Sequence, residues 1–88
     1  MTHSNAAEQQ DRQEGGLKRA VEGAVREFME TLDGEDTSDF YNLVLSEVEE
    51  PLLRVVLEYC SNNQSRAAEL LGLNRGTLRK KLRQHNLL

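Results

Sequence analysis

The sequence predicts an all-α fold with four helices per subunit: the first two helices build the core of an intertwined homodimer, and the last two form a helix-turn-helix. Three observations lead there. Apolar residues recur at the 3.6-residue period through two long segments. The second segment is too long and too apolar for one small chain to cover. A basic C-terminal segment then spaces alanine, glycine and leucine as two short helices meeting at a sharp turn require.

The first sixteen residues, MTHSNAAEQQDRQEGG, carry almost no large apolar side chain and end in two glycines, which predicts a mobile polar tail over 1–16. From Leu17 the pattern changes. Leu17, Val21, Ala24, Val25, Phe28 and Leu32 recur on one face, with Lys18, Arg19, Glu22, Arg26 and Glu30 on the other, an amphipathic helix stopped by Asp33 and Gly34.

Thr37, Ser38 and Asp39 are N-cap candidates for a second helix over about 39 to 60, because their oxygens can accept unpaired backbone N–H groups. Its stripe is Phe40, Val44, Val48, Leu52, Val55, Val56 and Tyr59. Such a helix runs roughly 33 Å at about 1.5 Å per residue, while a compact chain of this size has a radius of gyration of about 12 Å. After Pro51, LLRVVLEY is apolar on nearly every side, with Leu53 and Leu57 facing away from Leu52, Val55 and Val56. A second copy of the chain is the simplest source of neighbours, so Val44, Val48, Leu52, Val55, Val56 and Tyr59 form the expected dimer core. The apolar register passes through Pro51 without a phase break, which predicts a bend in a continuous helix.

In QSRAAELLGLNRGTLRKKLR, residues 64–83, Ala67, Ala68 and Leu71 share a face opposite Ser65, Arg66 and Glu69; Gly72 supplies the turn. Asn74 caps the last helix, whose Leu78 and Leu82 lie one turn apart. The boundaries are therefore a tail at 1–16, a dimerisation region at 17–60 and a helix-turn-helix at 61–88, one domain in all.

Charge is segregated along the chain. Residues 1–60 hold five Lys/Arg against fourteen Asp/Glu, a balance of −9, whereas residues 61–88 hold six against one, a balance of +5. A polyanion is repelled by the first part and drawn to the second, which points to nucleic acid; the strip on the last helix narrows this to double-stranded DNA. On the last helix Leu78 and Leu82 cluster with His85 beside them, while Gly76, Thr77, Lys80, Arg83 and Gln84 form a polar, cationic strip and Arg75, Arg79 and Lys81 lie between. Such a strip suits a major groove, with N-terminal residues nearest the base edges. Arg75 is placed for bidentate contact with guanine, and Asn74 for a base edge or a phosphate. Thr77, Arg79, Lys80, Lys81 and Arg83 suit the backbone, as do Asn63, Gln64 and Ser65 at the start of the preceding helix.

The other function classes find little support. The single Cys60 closes no internal disulfide and packs as a small residue near a helix end; no secretory pattern opens the chain, so a reducing cytoplasm is expected. No apolar run approaches the roughly 20 residues that cross a bilayer, so no membrane partner is expected. His3 and His85 lack ligand-spaced partners, so neither a metal nor another cofactor is expected. Glu47, Glu49 and Glu50 diverge around their helix and show no acid/base pair, so no enzyme is expected.

The run LVLSEVEEPLLRVVLEYCSNNQSRAAELLGLNRGTLRKKL, from Leu43 to Leu82, closely resembles the Fis family of bacterial nucleoid-associated DNA-binding proteins, with a looser match back to Leu17. The resemblance implies a four-helix homodimer that binds loosely defined DNA sites, bends them, regulates transcription and works in the nucleoid of the bacterial cytoplasm. The family's DNA-contacting positions match at Asn63, Asn74, Arg75, Thr77, Arg79, Lys80 and Lys81, with Ser65 in place of a threonine. Two departures mark its limits. The first sixteen residues lack the alternation of a β-hairpin arm that touches a recombinase, and CSNN lacks the basic residue and glycine of a turn that faces RNA polymerase. Neither contact is carried over. A DNA-binding tail of a larger enhancer-binding activator, or a helical module gripping an acidic protein, are the alternatives.

Overall fold

A computed structural model describes the backbone of residues 2–32 and 38–88, with side chains from residue 15 onward in the first stretch. The expected stop at Asp33 and Gly34 and the cap candidate Thr37 lie outside the described residues, as does Met1 of the tail. The described residues form four α-helices and no strand: α1 (Thr2–Leu32), α2 (Phe40–Tyr59), α3 (Gln64–Leu71) and α4 (Arg75–Gln84). The all-α expectation holds.

The first helix starts earlier than its apolar stripe. α1 is helical from Thr2, where the sequence suggested a tail up to residue 16. AAEQQDRQE is rich in residues of high helix propensity, which apolar periodicity does not register. None of the side chains described in α1 is buried, and Arg26 pairs with Glu22 one turn back at 2.8 Å.

The second compact unit is Asp39–Leu88. α2 is continuous through Pro51, as its unbroken register predicted. Proline removes the N–H that would bond the Glu47 carbonyl, and Glu47 is exposed, where water can take that role. At the N-terminus Asp39 occupies the cap position, but its carboxylate makes no capping bond to the backbone; Asn42 Nδ2 donates to it at 2.9 Å.

Leu53, Leu57 and Cys60 of α2 bury themselves against Ala67 and Ala68 of α3 and Leu78 and Leu82 of α4, with Val56, Leu71, Leu73 and Leu87 around them. Positions 53, 56, 57 and 60 share a face by helical spacing. Val56 belongs to the inner face, whereas Val48, Leu52, Val55 and Tyr59 stay exposed and Val44 is half-buried. α2 is therefore as much a part of the helix-turn-helix unit as α3 and α4 are, and only its outer face suits the dimerisation role that residues 17–60 were expected to share. Along the outer face Tyr41, Leu45, Val48, Leu52, Val55 and Tyr59 are all exposed and step by four and three residues.

All three helices of this unit end the same way. Asn62 N–H bonds Leu57 O at 2.8 Å, Leu73 N–H bonds Ala68 O at 2.9 Å, and Leu87 N–H bonds Leu82 O at 2.8 Å. Each closes a Schellman motif around a left-handed residue: Ser61 at φ 53, Gly72 at φ 72 and Asn86 at φ 58. Glycine adopts this conformation freely, so Gly72 is the turn that the sequence announced. No described helix is long and apolar enough to cross a membrane.

Candidate nucleic-acid interface

Two asparagines open the two helices of the turn. Asn63 Oδ1 accepts the Arg66 N–H at 3.1 Å, and Asn74 Oδ1 accepts the Gly76 N–H at 2.8 Å. Both side-chain oxygens are thus committed to caps, which leaves each amide NH2 as the group able to donate outward. The cap also favours Gly76 locally: a Cβ there would stand 3.2 Å from Asn74 Oδ1, a tight contact that the capping side chain would have to relieve by a small shift.

The five cations of α4 fall into three states. Arg75, Lys80 and Arg83 are exposed, and no ion pair among the described residues engages them. Arg79 Nη1 donates to Gln64 Oε1 at 3.0 Å, so a neutral amide on α3 holds this guanidinium without cancelling its charge. Lys81 Nζ instead donates to Glu49 Oε2 of α2 at 2.8 Å, and only 32% of its side chain is exposed. Thr77 and Ser65 are exposed, and Gln64 is half-buried.

Glu49 makes a second bond. His85 Nε2 lies 2.9 Å from Oε1 of the same carboxylate, with 11% of its side chain exposed. The hydrogen bond from Lys81, then that from His85, holds the Glu49 carboxyl below the usual carboxylate range; partial burial opposes them and is outweighed. Among the described residues no group of three His, Cys, Asp or Glu side chains is arranged to hold a metal ion.

Asn63, Ser65, Asn74, Arg75, Thr77, Arg79, Lys80 and Arg83 are all exposed, and Gln64 is bonded to Arg79. Lys81 is the exception among the expected site residues, turned to α2 and neutralised there. Sequence reasoning missed Glu49, His85 as its partner, and the link from Gln64 to Arg79. Phase was the available signal. Glu49 precedes buried Leu53 by four residues; Lys81 and His85 follow Leu78 and Leu82 by three residues each; Gln64 precedes Ala67 by three and Ala68 by four.

The sequence has counterparts among known proteins. The family model described as "Bacterial regulatory protein, Fis family" matches residues 44–85. The DNA-binding protein Fis of Aeromonas hydrophila subsp. hydrophila is 45% identical over 86 residues, covering 98% of this chain and 85% of that protein. DNA-binding protein Fis of Actinobacillus succinogenes is 52% identical over 71 residues, and that of Histophilus somni 49% over 71; each alignment covers 81% of this chain and 72% of the relative.

Proposed function

The chain belongs to the Fis family of bacterial regulatory proteins, and from that premise we propose that it is a homodimeric, DNA-bending, nucleoid-associated regulator of transcription in the bacterial cytoplasm. The observation that carries this reading is the α4 surface. Three cations with no ion pair among the described residues stand on a short helix with a capped N-terminus, and Arg79 of that helix bonds Gln64 in the first turn of α3.

The geometry supports a division of labour. Arg75, in the first turn of α4, reaches base edges, where a guanidinium matches the O6 and N7 acceptors of guanine. Lys80 and Arg83 neutralise phosphates, and Gln64 steadies Arg79 for the same task. Asn63 and Asn74 donate through their free amide groups, and Ser65 and Thr77 through their hydroxyls. These contacts position the helix; Arg75 and Asn74 read.

The partner for α2 is a second copy. From Leu45 to Tyr59 its outer stripe advances by 3.5 residues on average, the period at which two helices pack along a common seam. Twofold symmetry then supplies two α4 helices to two half-sites, and duplex DNA bends if these stand closer than one helical turn of about 34 Å.

The test is a salt titration of duplex binding. Log K is expected to fall linearly with log salt at about 0.9 per phosphate neutralised. Circular permutation of a footprinted site is expected to show position-dependent mobility. Affinity for duplex that ignores salt between dilute and physiological buffer would reject the reading.

A further inference from the structure

The Glu49 cluster is the part of this molecule that DNA contact does not explain. One carboxylate on α2 receives two donors from α4, Lys81 at 2.8 Å and His85 at 2.9 Å, and all three side chains are at least two-thirds covered. They line an open groove of about 340 Å³ shared by α2 and α4. The bonds lie one turn beyond the Leu53, Leu78 and Leu82 packing, so they grip α4 where that apolar cluster ends. On the α2 side the carboxylate sits between the inner face, which holds the turn, and the outer seam. Glu50, its acidic neighbour, is engaged elsewhere by Arg54 at 3.4 Å, so the cluster holds one anion against one permanent cation and a titratable ring.

We propose that Glu49 is a positioning residue for DNA binding: by holding Lys81 and His85 it sets α4 on the helix that carries the dimer seam, and it withholds Lys81 from phosphate. This rests on the DNA-binding reading above. The consequence is that Lys81 differs in kind from Lys80, its neighbour in sequence. Lys80 is counted by the salt dependence of binding, and Lys81 is not. A carboxylate fully engaged by two donors has little reason to release an ammonium to a solvated phosphate, where the charge-assisted bond it would gain is no stronger than the one it leaves.

Charge exchange separates the two roles. Lys81→Glu sets two carboxylates against each other and is expected to lower affinity for duplex DNA about tenfold or more. Glu49→Lys combined with Lys81→Glu restores the pair in reverse, and neutral His85 still accepts a bond from the new ammonium. Most of the affinity is expected to return. A direct bond to phosphate cannot be restored by a change on another helix, so a double variant no better than Lys81→Glu overturns the proposal. Should Lys81→Glu fail to fold, recovery of the circular dichroism spectrum in the double variant reports the same pairing, and no recovery overturns it.

Lys81→Met supplies an independent reading. Its slope of log K against log salt is expected to equal that of the unaltered protein, whereas Lys80→Ala reduces the slope by about 0.9 for each phosphate it no longer neutralises. Equal reductions for both would place Lys81 on the DNA and refute its withholding. If the unaltered protein itself shows no salt-dependent duplex binding, the DNA reading falls first and this inference with it; salt-dependent binding without rescue removes this inference alone.

Discussion

Arg75 and Lys80 lie on the same ten-residue helix, both exposed and without an ion pair among the described residues, yet they stand at different depths along it. Arg75→Ala is expected to lower the ratio of specific to random duplex affinity by about 1–3 kcal/mol, the worth of one bidentate base contact. Lys80→Ala is expected to weaken both affinities alike, and competition gel shifts distinguish the two patterns. Glu49 makes a prediction about stability. Its folded pKa is depressed, so as pH falls the unfolded chain takes up the proton first, at about 4.3, and the folded state resists until lower pH. The stabilisation is therefore present at neutral pH and lost as pH drops through the depressed value. The gap in urea-unfolding free energy between the native sequence and Glu49→Gln is expected to shrink from about pH 6 to about pH 3; a gap independent of pH would contradict the depressed pKa. The number and neighbourhood of the cations were legible in the sequence because composition alone segregates them. Their partners were not, because the two residues that Glu49 holds lie 32 and 36 positions away, and in the run of Glu47, Glu49 and Glu50 only helical phase relative to Leu53 singles out the middle one.

Helix ends show how much of an element depends on one residue. Gly72 declared the α3–α4 turn in the sequence, since a left-handed C′ residue is most often glycine. The α2–α3 junction uses the same hydrogen bonds with Ser61 at φ 53 and Asn62 at φ 64, and nothing in CSNN announces them. Asparagine tolerates that region through local hydrogen bonding, whereas serine bears more of the Cβ penalty of about 1 kcal/mol. Ser61→Gly is therefore expected to raise the unfolding free energy by up to about 1 kcal/mol, less the entropy that glycine adds to the unfolded chain. Gly72→Ala, at the same kind of position, is expected to lower it by about 1 kcal/mol or more. Chemical denaturation of the two variants beside the native sequence checks both signs; a destabilising Ser61→Gly would mean that the serine hydroxyl matters more than its backbone. Pro51 was legible for a different reason. The register runs from Val48 through Leu52 and Val55 without a phase break, and burial of Leu53 and Leu57 on the inner face outweighs the local cost of a missing N–H.

At the scale of the molecule, α2 is a helix with two apolar faces and one chain to cover them. The unit Asp39–Leu88 buries seven apolar residues, two of them alanines and one a cysteine. That core is small for an independent fold, because short chains bury a modest share of their surface. In the proposed homodimer, the outer stripe at Val48, Leu52, Val55 and Tyr59, exposed by 40%, 49%, 55% and 77%, is the additional surface through which association is expected to stabilise the fold. Folding and dimerisation are then linked, and the thermal midpoint rises with protein concentration by mass action. Leu52 and Leu53 separate the two faces by a single residue. Leu53→Ala opens a cavity in the inner core and is expected to cost about 2–5 kcal/mol in unfolding free energy, with the sedimenting species still a dimer wherever the protein is folded. Leu52→Asp places a charge on the seam and is expected to abolish the dimer in analytical ultracentrifugation, remove the concentration dependence of the midpoint, and reduce duplex affinity by the loss of the second half-site. A Leu52→Asp protein that sediments as the native species does would mean that the outer stripe of α2 is not where two copies meet, and the symmetry from which DNA bending is inferred would need another axis.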